Sequence, residues 1–151
     1  MNIHDDHGFR VVLDYAHNPE ALRALGRLVV RLKPEGAASI AMISIPGDRR
    51  DAEIRDMGRI GAEYFDRLVF RETPDGRGRP AGEVMRLLVE GAVEAGCDPA
   101  RVHSVYEEEA AAQHVAVDDR APRQLVEILL VEPQLIDRAE QDAPVDLLIA
   151  R

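Results

Sequence analysis

Tryptophan is absent from this 151-residue chain, cysteine and lysine occur once each, and aromatic side chains amount to three Phe and three Tyr. With 46% hydrophobic residues, a core must then be built from Val, Leu, Ile and Ala, the composition of an ordinary soluble domain. The lone Cys97, in a Gly-Cys-Asp-Pro turn, excludes an internal disulfide and reads as a plain thiol with no assigned role. No apolar run reaches the length needed to span a bilayer, and the opening Met-Asn-Ile-His-Asp-Asp-His has neither the basic end nor the apolar stretch of a signal peptide; a cytoplasmic chain with no membrane partner is expected. A net charge of -9 argues against coating nucleic acid, because phosphate backbones are held by clustered Lys and Arg. Nowhere is there a Gly-x-x-x-x-Gly-Lys-Ser/Thr loop, so the chain does not cradle ATP phosphates as a P-loop domain does.

What is present is an alternation of short apolar runs with amphipathic stretches. Val11-Val12-Leu13 reads as a buried strand ending at Asp14-Tyr15. Asn18-Pro19-Glu20 then gives a helix start: Asn accepts from a free backbone N–H, Pro at the first helical position loses nothing, and Glu suits the positive end. Leu22, Leu25, Leu28, Val29 and Leu32 follow at helical spacing up to Lys33-Pro34-Glu35-Gly36. Residues Ala37 to Ile45 predict a second strand. A helix capped by Asp51 carries Ile54, Met57, Ile60 and Tyr64, and Arg67 to Phe70 predict a third strand. Val84, Leu87, Leu88 and Val93 mark another helix, closed by Gly96 and Asp98-Pro99. Val102 to Tyr106 predict a strand, Glu107 to Val117 a helix, Leu125 to Val131 a strand, and Val145 to Ile149 a last one. The pattern is that of a single α/β domain over 1–151, a Rossmann-like three-layer sandwich whose mainly parallel sheet is covered on both faces.

Ligands in such folds collect where strands end at their carboxyl side. That rule selects Tyr15 to Pro19, Pro46 to Asp51 and Arg71 to Pro80. In the first loop His17 can stack or hydrogen-bond, the Asn18 amide can both give and accept, and Asp14 can accept from ribose hydroxyls; equally, Asn18 only caps the helix, His17 is solvated and Asp14 merely ends a strand. In the second, Gly47 allows close backbone approach and Arg49 and Arg50 can pair with carboxylate or phosphate oxygens, or form a self-neutralised charge cluster with Asp48 and Asp51. The third, with Arg71, Glu72, Arg77, Gly78 and Arg79, is basic for so acidic a chain and reads as an anion site or a solvated turn. His4 and His7 flank Asp5-Asp6 in a hairpin turn without metal-ligand spacing. Glu107 to Glu109 suit a helix start.

Val11 to Leu22, Val-Val-Leu-Asp-Tyr-Ala-His-Asn-Pro-Glu-Ala-Leu, resembles the opening of the C-terminal domain of the Mur ligase family, which includes the folylpolyglutamate synthetases. Pro46-Gly47-Asp48-Arg49-Arg50-Asp51 followed by Ile54-Arg55-Asp56-Met57-Gly58, and Arg71-Glu72 followed by Arg77-Gly78-Arg79 and Gly82-Glu83-Val84, are more similar to its cyanophycin-forming branch than to its peptidoglycan enzymes. The resemblance runs from about Phe9 to about Ala111, with a core extending to about 131. It departs at Thr73 to Gly76 and over 132–151.

That resemblance implies one of three cooperating domains. A central P-loop domain binds ATP phosphates and magnesium, a substrate carboxylate becomes an acyl phosphate, and an incoming amine displaces phosphate to form an amide. The C-terminal domain closes onto the nucleotide and helps bind the incoming amino acid. Carried over by motif, Asp14, His17 and Asn18 would contact ribose or adenine with Arg49 nearby, and Arg77 and Arg79 would face the amino acid, which in the cyanophycin-forming branch is arginine. No residue here need be a nucleophile. Two functions remain: a ligase domain that is inactive without its P-loop partner, or a stand-alone nucleotide- or amino-acid-binding module derived from such a ligase.

Overall fold

The computed structural model describes residues 1–4, 10–72 and 75–105 and the backbone of 125–130. Their elements are strand β1 (Asn2–His4), strand β2 (Arg10–Asp14), helix α1 (Pro19–Leu32), strand β3 (Ala38–Ile43), helix α2 (Asp51–Tyr64), strand β4 (Arg67–Arg71), helix α3 (Glu83–Glu94), strand β5 (Val102–Val105) and strand β6 (Leu125–Leu130). The six strands form one sheet in the order β1-β2-β6-β3-β4-β5. All pairs are parallel except β1 with β2, an antiparallel pair at the edge that puts Ile3 opposite Val12. The expected α/β class with a mainly parallel sheet is what the chain adopts.

The helices α1, α2 and α3 each follow a strand and lead to a parallel strand further along the sheet in the same direction. Right-handed crossovers therefore put all three on one face. Side-chain alternation agrees: Val12, Ala41, Ile43, Leu68 and Phe70 point into a shared core with Leu22, Leu25 and Val29 of α1, Ile54, Met57 and Ile60 of α2, and Val84, Leu87 and Leu88 of α3. Burying each such side chain contributes roughly 1.5–3 kcal/mol. The intervening Val11, Leu13, Ile40, Met42 and Val69 are buried on the opposite face. The helix expected at Glu107 to Val117 and the strand expected at Val145 to Ile149 lie outside the described residues, as do Asp5, Asp6 and His7.

Packing within the helical layer is close because two glycines remove side chains where backbones meet. A Cβ on Gly58 of α2 would come within 1.9 Å of the Leu88 carbonyl oxygen, and one on Gly91 of α3 within 1.9 Å of the Arg55 carbonyl oxygen. Three local expectations are refined. Asp51 does not cap α2; Arg50 occupies that position, with its N–H donating to Glu53 Oε2 at 3.2 Å, and Asp51 is the first helical residue. The second strand stops at Ile43, although Ile45 remains buried. Strand β1, only three residues long, gave no alternation to detect, and His4 lies at its end.

Candidate functional site

Strands β2, β3 and β4 run parallel, so their carboxyl ends deliver the three selected loops to one edge of the sheet. At the first, Asp14 is the last residue of β2 and its carboxylate lies 3.8 Å from the Met1 amino group. Asn18 caps α1 as expected, Oδ1 accepting from the Ala21 N–H at 2.9 Å. This bond uses the amide oxygen and leaves the Nδ2 donor out of the cap. Between them the chain presents two rings: Tyr15, 44% exposed, lies with its centroid 4.6 Å from that of His17 at a 35° tilt, while His17 Nδ1 sits 3.0 Å from the Tyr15 carbonyl oxygen. That contact fits a protonated Nδ1 and orients Nε2 away from the backbone.

The second and third loops are joined. Arg79, only 18% exposed at its side chain, donates from Nε to the Gly47 carbonyl at 2.5 Å and from Nη2 to the Arg49 carbonyl at 2.7 Å and to Asp51 Oδ1 at 2.7 Å. Its Nη1 reaches Glu83 Oε1 at 3.3 Å. One guanidinium thus ties the β3–α2 loop to the start of α3, and the Arg79 bond is the main reason the exposed Asp51 carboxyl is held below the usual carboxylate range. The two loops touch as backbones: a Cβ on Gly47 would lie 2.2 Å from the Gly76 carbonyl oxygen, which requires glycine there. Arg77 has φ 46°, a left-handed conformation rare outside glycine, with its N–H on Asp75 Oδ1 at 3.0 Å and Nη1 on Asp48 Oδ2 at 3.1 Å. Half its side chain is exposed.

Arg49 differs from both. Its N–H closes a turn onto the Pro46 carbonyl at 3.3 Å, and its side-chain Nε is buried with no hydrogen-bond partner. A desolvated guanidinium nitrogen without an acceptor is costly in the isolated domain. Glu72, by contrast, is a structural residue that the sequence did not announce. It is 4% exposed, and its two oxygens accept from the N–H groups of Gly82 at 2.5 Å and Val84 at 3.3 Å, which caps α3 from the end of β4. Only the acidic residue at a strand end hinted at this; its partners are 10 and 12 residues away.

A separate shallow cleft of about 520 Å³ lies along α3 beside β5, lined by Met85, Val89, Val93 and Ser104, and the loops at the strand ends are not part of it. Among the described residues no group of three His, Cys, Asp or Glu side chains is gathered as a metal site, and no helix is long and apolar enough to cross a membrane.

A family model described as "Mur ligase, glutamate ligase domain" matches residues 1–129. Cyanophycin synthetase of Synechocystis sp. is 33% identical over 139 residues, 92% of this chain and 15% of that protein. The cyanophycin synthetase of Geminocystis herdmanii is 39% identical over 93 residues, 62% of this chain and 10% of the relative. Among solved structures, a UDP-N-acetylmuramoyl-L-alanyl-D-glutamate--2,6-diaminopimelate ligase superposes with TM-score 0.64 at 22% identity, covering 86% of this chain and 25% of that one. A Mycobacterium tuberculosis folylpolyglutamate synthase complexed with ADP and AMPPCP gives TM-score 0.55 at 21% identity, over 80% of this chain and 27% of the other. At those identities the structures establish the fold alone. The chain spans about 15% of the length of the Synechocystis relative. Its sheet, its loop sequences and the match over residues 1–129 agree, and the chain belongs to the Mur ligase family as its glutamate ligase domain, related to that of the cyanophycin synthetases.

Proposed function

We propose that this domain supplies the adenosine and amino-acid contacts of an ATP-dependent carboxylate–amine ligase whose phosphate-binding loop and magnesium ligands lie on a partner P-loop domain, in the same chain or another. The observation that carries the proposal is the orphaned Nε of Arg49, a buried cationic nitrogen at the edge where β2, β3 and β4 end. Asp14 would accept from ribose hydroxyls and the Asn18 Nδ2 would donate to an adenine edge. His17, beside the exposed Tyr15 ring, would take the face of the base. Arg49 would offer charge to the nucleotide. Arg77 would pair with the carboxylate of the incoming amino acid, arginine by analogy with the cyanophycin synthetases. Arg79, bonded to Gly47, Arg49, Asp51 and Glu83, would act in that pocket chiefly by holding the two loops together.

No side chain of this domain then forms a covalent intermediate. Bound ATP supplies the phosphoryl group that activates the carboxylate. The domain contributes orientation, charge and exclusion of water around a hydrolysable acyl phosphate.

The test is steady-state kinetics in a ligase that carries this domain together with its P-loop domain. Asn18→Asp retains the helix cap and loses the amide donor; it should raise the KM for ATP with little change in thermal stability. Arg77→Ala should raise the KM for the amino acid and leave that for ATP in place. Normal ATP use by Asn18→Asp together with normal amino-acid use by Arg77→Ala would remove the proposal. The purified domain alone should release no phosphate from ATP, magnesium, arginine and an aspartate polymer, the acceptor that the resemblance to the cyanophycin-forming branch implies.

A further inference from the structure

Helix α1 carries Arg23, Arg27 and Arg31, four residues apart, on one stripe. Arg27 and Arg31 are exposed and Arg23 half-buried. None of the three makes a hydrogen bond or ion pair among the described residues, while each other described arginine except Arg49 is engaged in a contact. The neighbouring helices show the usual alternative. Arg55 lies 3.0 Å from Glu90, Arg59 pairs with Asp56 and Glu94, and Arg86 pairs with Glu90.

Helix α1 has a single acid, Glu20 in its first turn, so each arginine of the stripe has another arginine as its neighbour four residues away. Such like-charge pairs weaken a helix. Only Arg31, in the last turn, gains from the negative end of the helix. On the same stripe, next to Arg27 and Arg31, Val30 is 56% exposed. In a chain with 28 acidic residues, an unneutralised cationic stripe with an apolar residue beside it is the distribution of a contact surface.

The spacing selects the partner. Four helical residues rise about 6 Å, and alternate residues of an extended peptide are about 6.4–6.8 Å apart on one side. Carboxylates at alternate positions of an extended chain therefore fall opposite successive guanidiniums, each able to form a forked pair. Helix α1 has no aromatic residue on which a base could stack, which disfavours single-stranded nucleic acid. We infer that the Arg23-Arg27-Arg31 stripe of α1 is a docking surface for an extended acidic peptide with carboxylates at every second residue. The inference is independent of the proposed nucleotide and amino-acid contacts.

The experiment is fluorescence anisotropy of a labelled (Asp-Ser)5 peptide titrated with the full 151-residue chain at about 50 mM salt, where exposed charges are weakly screened. Saturable binding is expected, weakened at least tenfold by Arg23→Gln/Arg27→Gln/Arg31→Gln and less than twofold by Arg50→Gln/Arg59→Gln/Arg86→Gln, which removes the same charge. The stripe variant should melt within a few degrees of the parent temperature, because relieved repulsion among the arginines offsets the lost interaction of Arg31 with the helix end; this separates lost binding from lost folding. An (Asp-Ser-Ser)5 peptide, with the same five carboxylates about 10 Å apart, should bind at least fivefold more weakly. No binding of (Asp-Ser)5, equal losses in the two triple variants, or indifference to carboxylate spacing would overturn the inference. Equal or tighter binding of hexathymidylate would overturn it in favour of a nucleic acid.

Discussion

The two edges of the sheet use their charges differently. At the amino-terminal edge, Asp66 between α2 and β4 accepts from Lys33 Nζ at 2.7 Å, from the Ser39 N–H at 2.7 Å and from Ser39 Oγ at 2.8 Å. Arg101 bridges to the carbonyls of Phe65 at 2.6 Å and Asp66 at 2.7 Å. Every group named there has a partner, including the chain's one lysine. Burial pushes the Asp66 carboxyl up, but its bonds to Lys33 and Ser39 outweigh that and hold it below the usual carboxylate value. The carboxyl edge has its own clamp in Arg79, yet it keeps Arg49 Nε without an acceptor and the Tyr15 and His17 rings beside the loops. Among the described residues one edge is closed on itself; the other is braced but keeps a buried nitrogen unpaired, and it is the edge at which the proposed ligand contacts lie.

Substitutions at the closed edge should therefore alter stability and leave ligand use intact. Asp66→Ala strips acceptors from the fully buried Ser39, a cost of about 2–3 kcal/mol, to be read from the urea midpoint, with unchanged KM values in a ligase carrying the domain. Arg79→Ala should sharpen the comparison, because it cuts a brace of the open edge: about 1–2 kcal/mol of stability is lost and the KM for the amino acid rises. Arg79→Lys should recover part of the stability and little of the KM, since an ammonium lacks the guanidinium's fork. A pure stability loss in Arg79→Ala would place both edges in the same structural class.

Acid provides a smaller effect with a definite sign. The folded-state pKa of Asp66 is lowered, so its contribution is fully present above the unfolded value of about 3.9 and is lost as pH falls through the folded value. Urea midpoints taken from pH 6 down to pH 3 should fall less steeply for Asp66→Asn than for the parent chain. Asp51→Asn, at the exposed end of the Arg79 clamp, should change that slope less. The smallest stability effect is expected from His17→Ala, within about 0.5 kcal/mol, combined with a raised KM for ATP; a drop in melting temperature with normal ATP use would assign His17 to the fold.

How much of this was legible depended on the sequence distance between partners. The Asn18-Pro19-Glu20 helix start, the apolar strands around Val12, Ile43 and Val69, and the loops gathered at the carboxyl edge follow from residues within a few positions of one another. The parallel sheet followed from their alternation. The Arg79 bonds to Gly47 and Arg49 join residues 32 and 30 apart, and the Ser39–Asp66 bonds span 27. No local periodicity reports such pairs. A charged residue in a loop looked the same whether it clamped two loops, as Arg79 does, or kept a buried nitrogen unpaired, as Arg49 does. The glycine in Pro46-Gly47 was readable as a close approach, but not that its neighbour would be the Gly76 carbonyl. Glu72 was the harder case, read with the arginines around it although it caps a helix that begins eleven residues later.

The position of β6 has a consequence for biosynthesis. The strand that lies between β2 and β3 is the last of the described strands in sequence. Strands β2 and β3 therefore cannot hydrogen-bond to one another in the native register, and each presents a bare edge until Leu125–Leu130 is made and inserted. At translation rates of roughly 5–20 residues per second, the interval between completing β3 and delivering β6 lasts on the order of several to some fifteen seconds, with apolar strand edges open to mispairing throughout. Closing the sheet is also a long-range event, which slows folding relative to the helix contacts made earlier. A nascent chain of this domain is thus expected to hold its first half in a split, chaperone-susceptible form and to become protease-resistant in one step after β6 leaves the ribosome.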